Sequence, residues 1–311
     1  MVRTSGVRPR RRWPRVFGLG LLLWAASVVV TLVTGNPNLV PTLILLGSFL
    51  VPVTFVLWAF ETWRDEDITA ELIVTAFVVG GLLGILGASV LETYLLHPSV
   101  TLFLGVGLIE EAVKLLALVL VTRGLPRRHT RDGVVLGAAV GFGFAAFESA
   151  GYAFNAVLTE RGLSVGALVQ SELLRGVLAP VGHGLWTAIL GGVLFGVCRD
   201  GRARLLRPPV LVTLVWVALL HALWDAMPSL AVLATFLLTG SAGQQQLLSA
   251  GYLPSPTDAQ ARLLAQLQFG GMGVVAVLGL LTLGLVWWRS RAEQARYSPL
   301  PGPRAWVIAR R

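Results

Sequence analysis

The sequence predicts an all-α fold: a polytopic transmembrane bundle of about eight spans with both termini cytoplasmic. Three observations predict it. Of the 311 residues, 55% are hydrophobic and 13% charged, with a mean hydropathy of +0.75; a water-soluble domain carries about 25% charged residues to face its solvent. The apolar runs are long enough to cross a hydrocarbon core of about 30 Å at 1.5 Å per residue. The arginines fall in short blocks between these runs, on alternate sides.

The predicted spans are 16–34, 39–60, 71–96, 101–122, 133–157, 176–198, 209–230 and 269–288. The first follows an Arg-rich start, as a signal peptide would. No small-residue cleavage site follows it, and Asn36-Pro37-Asn38 leads straight into the next run, so it reads as a retained helix. The seventh has an apolar extension past Pro228 to Leu238, either a kinked continuation or an interfacial segment. With eight spans and both ends inside, 21 of the 25 basic residues lie in cytoplasmic tails and loops. Only Arg161, Arg175 and Arg262 fall outside, and an odd number of spans would break this alternation.

The chain thus divides into a basic cytoplasmic tail (1–15), a membrane domain (16–288) with a catalytic-like core at about 101–230, and a Pro- and Arg-rich tail (289–311) of disordered composition. The stretch 241–268 reads as a polar loop. The net charge of +9 is accounted for by topology, not by a nucleic-acid-binding face. Cys198 is the one cysteine, which excludes an internal disulfide, and no role is assigned to it. The remaining basic residue, Lys114, is the sole lysine and lies inside the fourth span.

Charged groups in hydrocarbon cost about 2.5–3.5 kcal/mol each, so they are rare unless used. This chain has a set: Glu110, Glu111 and Lys114 on the fourth span, Glu148 on the fifth, His183 on the sixth, and His221 with Asp225 on the seventh. Counted at 1.5 Å per residue, all lie roughly 8–15 Å below the outer ends of their helices. Four helices of alternating direction therefore place polar groups in one layer, as a shared water-filled site requires. Glu110 and Lys114 are spaced i,i+4 and Glu111 and Lys114 i,i+3, so the lysine can offset the two carboxylates. His221 and Asp225 are also i,i+4, which lets the carboxylate orient the imidazole. Gly133, Gly137 and Gly141 recur every four residues, a spacing that admits a close neighbouring helix. Glu92, His97 and Asp132 sit at helix ends and read as solvated, with Asp132 placed to cap the fifth span.

Glu110-Glu111-Ala-Val-Lys114 resembles the E-E-x-x-K motif of PrsW-type intramembrane proteases. Asp132-Gly133 through Gly143-Phe144-Ala-Ala-Phe-Glu148 resembles their second motif. Arg175 through His183, then Gly191, resembles the third, and His221-Ala-Leu-Trp-Asp225 the fourth. Ser149 stands where the family usually has Asn. The resemblance covers about residues 105–225 and extends more distantly to CAAX-processing and bacteriocin-processing membrane proteases. It implies an endopeptidase that cuts in or near transmembrane segments of single-pass membrane proteins, some relatives acting on anti-sigma factors.

The residues allow two mechanisms. In one, Glu111 or Glu110 is the general base, Lys114 tunes its charge, and His221 or His183 stabilises the oxyanion. In the other, His183, His221 and Glu148 hold a divalent metal, zinc by type, with Glu111 as base. No H-E-x-x-H helix is present, so any ligands must converge from different helices. The competing readings are a proton- or ion-coupled transporter and a non-catalytic scaffold. The Arg-over-Lys bias and abundant Ala, Gly and Leu point to a GC-rich bacterial genome, and the expected location is the bacterial inner (plasma) membrane.

Overall fold

In the computed structural model, each apolar run forms a helix whose ends are set by local signals. The model describes residues 11–63, 68–125, 128–160, 162–197 and 204–297. Cys198, residues 1–10 and 298–311 of the two tails, and Arg64, Arg127, Arg161, Arg199 and Arg202 of the loop blocks lie outside the described residues. Helix α1 (Trp13–Thr34) has proline at its first turn and ends on Gly35 at φ 63°, whose N–H bonds Thr31 O. Helix α2 (Val40–Trp63) follows one turn of 3-10 helix. Helix α3 (Ala70–Leu95) opens on Thr69, which accepts from Leu72 N, and widens to a π turn at Ala76–Gly80. Next come α4 (Leu102–Val121) and α5 (Thr130–Val157). Asp132 is buried and accepts from the backbone N–H of His129, so it caps α5 rather than facing solvent.

A two-residue hairpin pairs Leu158–Thr159 with Gly162–Leu163. Helix α6 (Val165–Leu178) then runs through a 3-10 turn at Ala179–Val181 into α7 (His183–Val197). Helix α8 (Pro208–Thr239), the short α9 (Ala242–Ser249) and α10 (Asp258–Tyr297) complete the bundle.

Among the described residues, seven helices are long and apolar enough to cross a membrane. The eighth predicted span is the 20-residue α4, set apart from them by the three charges at its centre. Its flanks still present Leu104, Leu108, Leu116 and Leu120 outward, while Glu110, Glu111 and Lys114 are buried. Elsewhere too the exposed surface carries large apolar side chains, among them Leu22, Leu32, Leu86 and Leu281, the reverse of a water-facing protein.

Three predicted boundaries move. The sixth span begins at Val165, not at 176, so Arg175 lies inside a helix and not in an outer loop. The charges that broke the apolar run are matched within the protein: Glu172 is buried and accepts from Trp24 Nε1 at 2.7 Å, and Arg175 pairs inside the bundle. The seventh continues through Pro228 to Thr239 as one helix. The polar stretch 241–268 is largely helical, with a loop only at 250–257. A reciprocal amide pair between Gln244 and Gln260 (3.0 and 3.1 Å) ties α9 to the start of α10.

Helix α5 is the centre of the bundle, buried on every side from Thr130 to Ala146 apart from Arg131. Its main partner is α7. A Cβ at Gly133, Gly137 or Gly141 would overlap the carbonyl oxygens of Gly191, Thr187 and His183 respectively. This is the close approach the four-residue glycine spacing predicts. It fixes the start of α7, and with it His183, against the middle of α5.

Candidate active site

Helix α4 supplies the first element. Lys114 Nζ lies 2.6 Å from Glu111 Oε1 and 3.3 Å from Glu110 Oε2, and 2.9 Å from His183 Nδ1 on α7. An ammonium has three hydrogens and no lone pair, so these three acceptors satisfy it completely. The lysine side chain is 0% exposed and its head lies 4.2 Å from the Phe144 ring centroid. A buried charge of this kind persists only when paired, because the uncompensated charge costs several kcal/mol.

Since Lys114 can only donate, His183 Nδ1 accepts, and the ring proton is on Nε2. That nitrogen lies 2.9 Å from Glu148 Oε2. Glu148 is also paired with Arg175 of α6, whose Nε donates to Ser149 Oγ at 2.8 Å and whose guanidinium stacks 4.2 Å over Tyr152. Arg175 thus links α6 to α5 and holds Glu148 on the histidine.

Helix α8 closes the site. His221 Nδ1 lies 3.0 Å from Glu111 Oε1, and Nε2 lies 3.2 Å from Asp225 Oδ2 and 3.7 Å from Glu110 Oε2. The i,i+4 contact of His221 with Asp225 is therefore made, and Glu111 additionally takes the other ring nitrogen. Buried Trp186 stacks on His221 (4.6 Å, 27°) and meets His183 edge-on (5.3 Å, 80°), which restricts both imidazoles. The two histidine rings are 4.9 Å apart.

All seven predicted residues therefore form one connected cluster. They are not equivalent. A cavity of about 530 Å³ opens beside them, lined by Glu110, Glu148, His183 and Asp225, together with Glu92, Tyr152 and Arg175. Glu111 is 0% exposed and lies behind Glu110, between Lys114 and His221. Three lining residues were not assigned to a site by the sequence. Glu92 reads as a helix-end residue, Arg175 as part of a motif without a stated role, and Tyr152 as apolar helix.

The donor set that comes nearest to a metal site is Glu110, His183 and His221, with one donor atom from each all within 4.8 Å of one another. Two imidazole nitrogens and one carboxylate are a donor set of the catalytic zinc type. Each histidine also has its other nitrogen on a carboxylate, His183 on Glu148 and His221 on Glu111, the arrangement that orients metal-binding imidazoles. The residues present thus fit a divalent metal once Lys114 gives up His183 Nδ1, the ring nitrogen that faces Glu110. Glu148, the carboxylate expected in the ligand set, lies on the far nitrogen of His183 at 2.9 Å, and Glu110 is the carboxylate that reaches both rings, at 3.7 Å from each.

No curated protein and no solved structure matches the chain. The model of one family matches residues 69–248, more than half of the chain, a stretch that holds every residue of the cluster. The chain belongs to the PrsW family of intramembrane metalloproteases.

Proposed function

We propose that this multi-pass membrane protein hydrolyses peptide bonds in or near the transmembrane segment of single-pass membrane proteins, anti-sigma-factor-like regulators among them, in a bacterial plasma membrane with both termini cytoplasmic. One observation carries the reading. Glu110 is a buried carboxylate that lines the cavity, with an imidazole nitrogen 3.7 Å away on each side. Water activation needs a carboxylate in contact with water and substrate, and Glu110 meets that requirement where Glu111 does not.

The residues divide the work as follows. Glu110 accepts a proton as the water oxygen bonds to the scissile carbonyl carbon, and returns it to the leaving nitrogen as the C–N bond breaks. His221, held at Nδ1 by Glu111, turns its Nε2–H from Asp225 to the developing oxyanion. Lys114 compensates Glu111, and Glu148 with Arg175 fixes the ring of His183.

A second version is favoured by the donor spacing and the two orienting carboxylates. Glu110, His183 Nδ1 and His221 Nε2 would hold a divalent metal, zinc by donor type, with Lys114 kept to Glu111. With such an ion bound the site gains Lewis-acid polarisation of water and carbonyl. Cleavage of a membrane-spanning substrate by the purified protein, with and without chelator, tests both versions. Cleavage lost on chelation and restored by zinc favours the metal version, and cleavage indifferent to chelator favours the carboxylate version. Proton flux in liposomes without any cleavage would replace both with a transporter.

A further inference from the structure

Among the carboxylates that line the cavity, one differs from the rest. Glu110 has Lys114 at 3.3 Å, Glu148 has Arg175 and His183, and Asp225 has His221 at 3.2 Å. Glu92 lines the same cavity, and its Oε1 is buried with no hydrogen-bond partner among the described residues. A buried carboxylate oxygen without a donor costs about 1–3 kcal/mol, more when charged. That cost is recovered when something that enters the cavity brings a donor.

Position says what enters. Glu92 is three residues from the end of α3 (Ala70–Leu95), and Glu110 is eight residues from the start of α4 (Leu102–Val121), at the same end of the bundle. At 1.5 Å per residue, Glu92 stands about 7 Å nearer the mouth than Glu110. An extended peptide advances about 3.3 Å per residue, so the interval is about two residues. Tyr152, Pro228 and Gln268 line the cavity without adding a charge, so among the described lining residues Glu92 is the carboxylate with no ion-pair partner.

We infer that Glu92 is a specificity-determining residue that receives a lysine or arginine side chain of the substrate, about two residues from the cleaved bond toward the outer surface. The inference rests on the peptidase reading above. A basic residue there also suits a substrate whose span ends at that level, because Lys and Arg bury their stems in apolar surroundings and carry the charge to the interface.

The test uses the full chain in detergent and a set of model peptides with one apolar span. They differ only in the residues one to four positions outward of the span's end, which carry Lys, Gln or Glu, and products are read by mass spectrometry. The expected result is a cut placed about two residues inward of a basic residue, with kcat/KM at least about tenfold higher for Lys than for Gln. In Glu92→Gln the Lys-to-Gln ratio falls toward one, and in Glu92→Lys the Glu peptide becomes the better substrate. Cleavage by the wild type with no basic preference, or a preference unchanged in Glu92→Gln, overturns the inference and leaves the peptidase reading standing. No cleavage of any peptide counts against the peptidase reading itself, and the inference falls with it.

Discussion

Lys114 Nζ stands 2.9 Å from Nδ1 of His183, two side chains 69 positions apart in sequence. This contact settles the tautomer of the histidine and sends its Nε2–H to Glu148. It also makes Lys114 the one cation shared by two adjacent carboxylates and an imidazole. Lys114→Met should therefore destabilise the protein by about 3–5 kcal/mol, the usual cost of breaking a buried ion pair, and should abolish cleavage. Lys114→Arg should not restore activity, because a planar fork cannot replace a point donor at a fully buried position. Thermal unfolding in detergent and a cleavage assay check both. Wild-type activity in either variant would remove the lysine from the account.

Glu111→Gln should retain the hydrogen bond from His221 Nδ1–H through the amide oxygen but lose the charge that faces Lys114. A loss of about 10–100-fold in kcat is expected, the range seen when the outer partner of a site histidine is changed. An effect on kcat as large as that of Glu110→Gln would move the catalytic carboxylate back to Glu111.

Arg175→Leu should free Glu148 and loosen the ring of His183, lowering kcat about 10–100-fold. Arg175→Lys should recover little, since the guanidinium contacts Glu148, Ser149 and Tyr152 at once. Full activity in Arg175→Leu would reduce the residue to a surface ion pair.

The seam between α5 and α7 can be opened directly. Gly137→Val would drive a side chain into the Thr187 carbonyl, where overpacking costs about 1–3 kcal/mol or more. Gly141→Ala acts at the carbonyl of His183 itself, so it should cost proportionally more activity than stability. Unfolding midpoints beside kcat for the two variants separate these effects. Equal activity in both, at equal stability, would show that the seam does not position the histidine.

Much of this was legible in the sequence because intramembrane charge is costly and spacing on a helix is rigid. The i,i+3 and i,i+4 relations among Glu110, Glu111 and Lys114, and between His221 and Asp225, translate directly into the observed contacts. The glycine period of α5 translates into its contact with α7. What the sequence withheld depends on rotation about a helix and on partners from other helices. Which of two adjacent glutamates faces the cavity is a matter of about 100° of helix rotation, set by packing. Glu172 and Arg175 made the start of the sixth span look solvated. Their partners, Trp24, Glu148 and Ser149, come from other helices, and no local pattern announces them. Glu92 read as a solvated helix end because its distance from the other carboxylates is spatial, not sequential.

The most direct test of the account is cleavage of a membrane-spanning substrate by purified wild type beside Glu110→Gln, with insertion and unfolding midpoint measured on the same samples. The account predicts that Glu110→Gln inserts and folds but loses at least about 10²-fold in kcat, the lower range for removal of a general base. Turnover within a few-fold of wild type in a folded Glu110→Gln protein would contradict it.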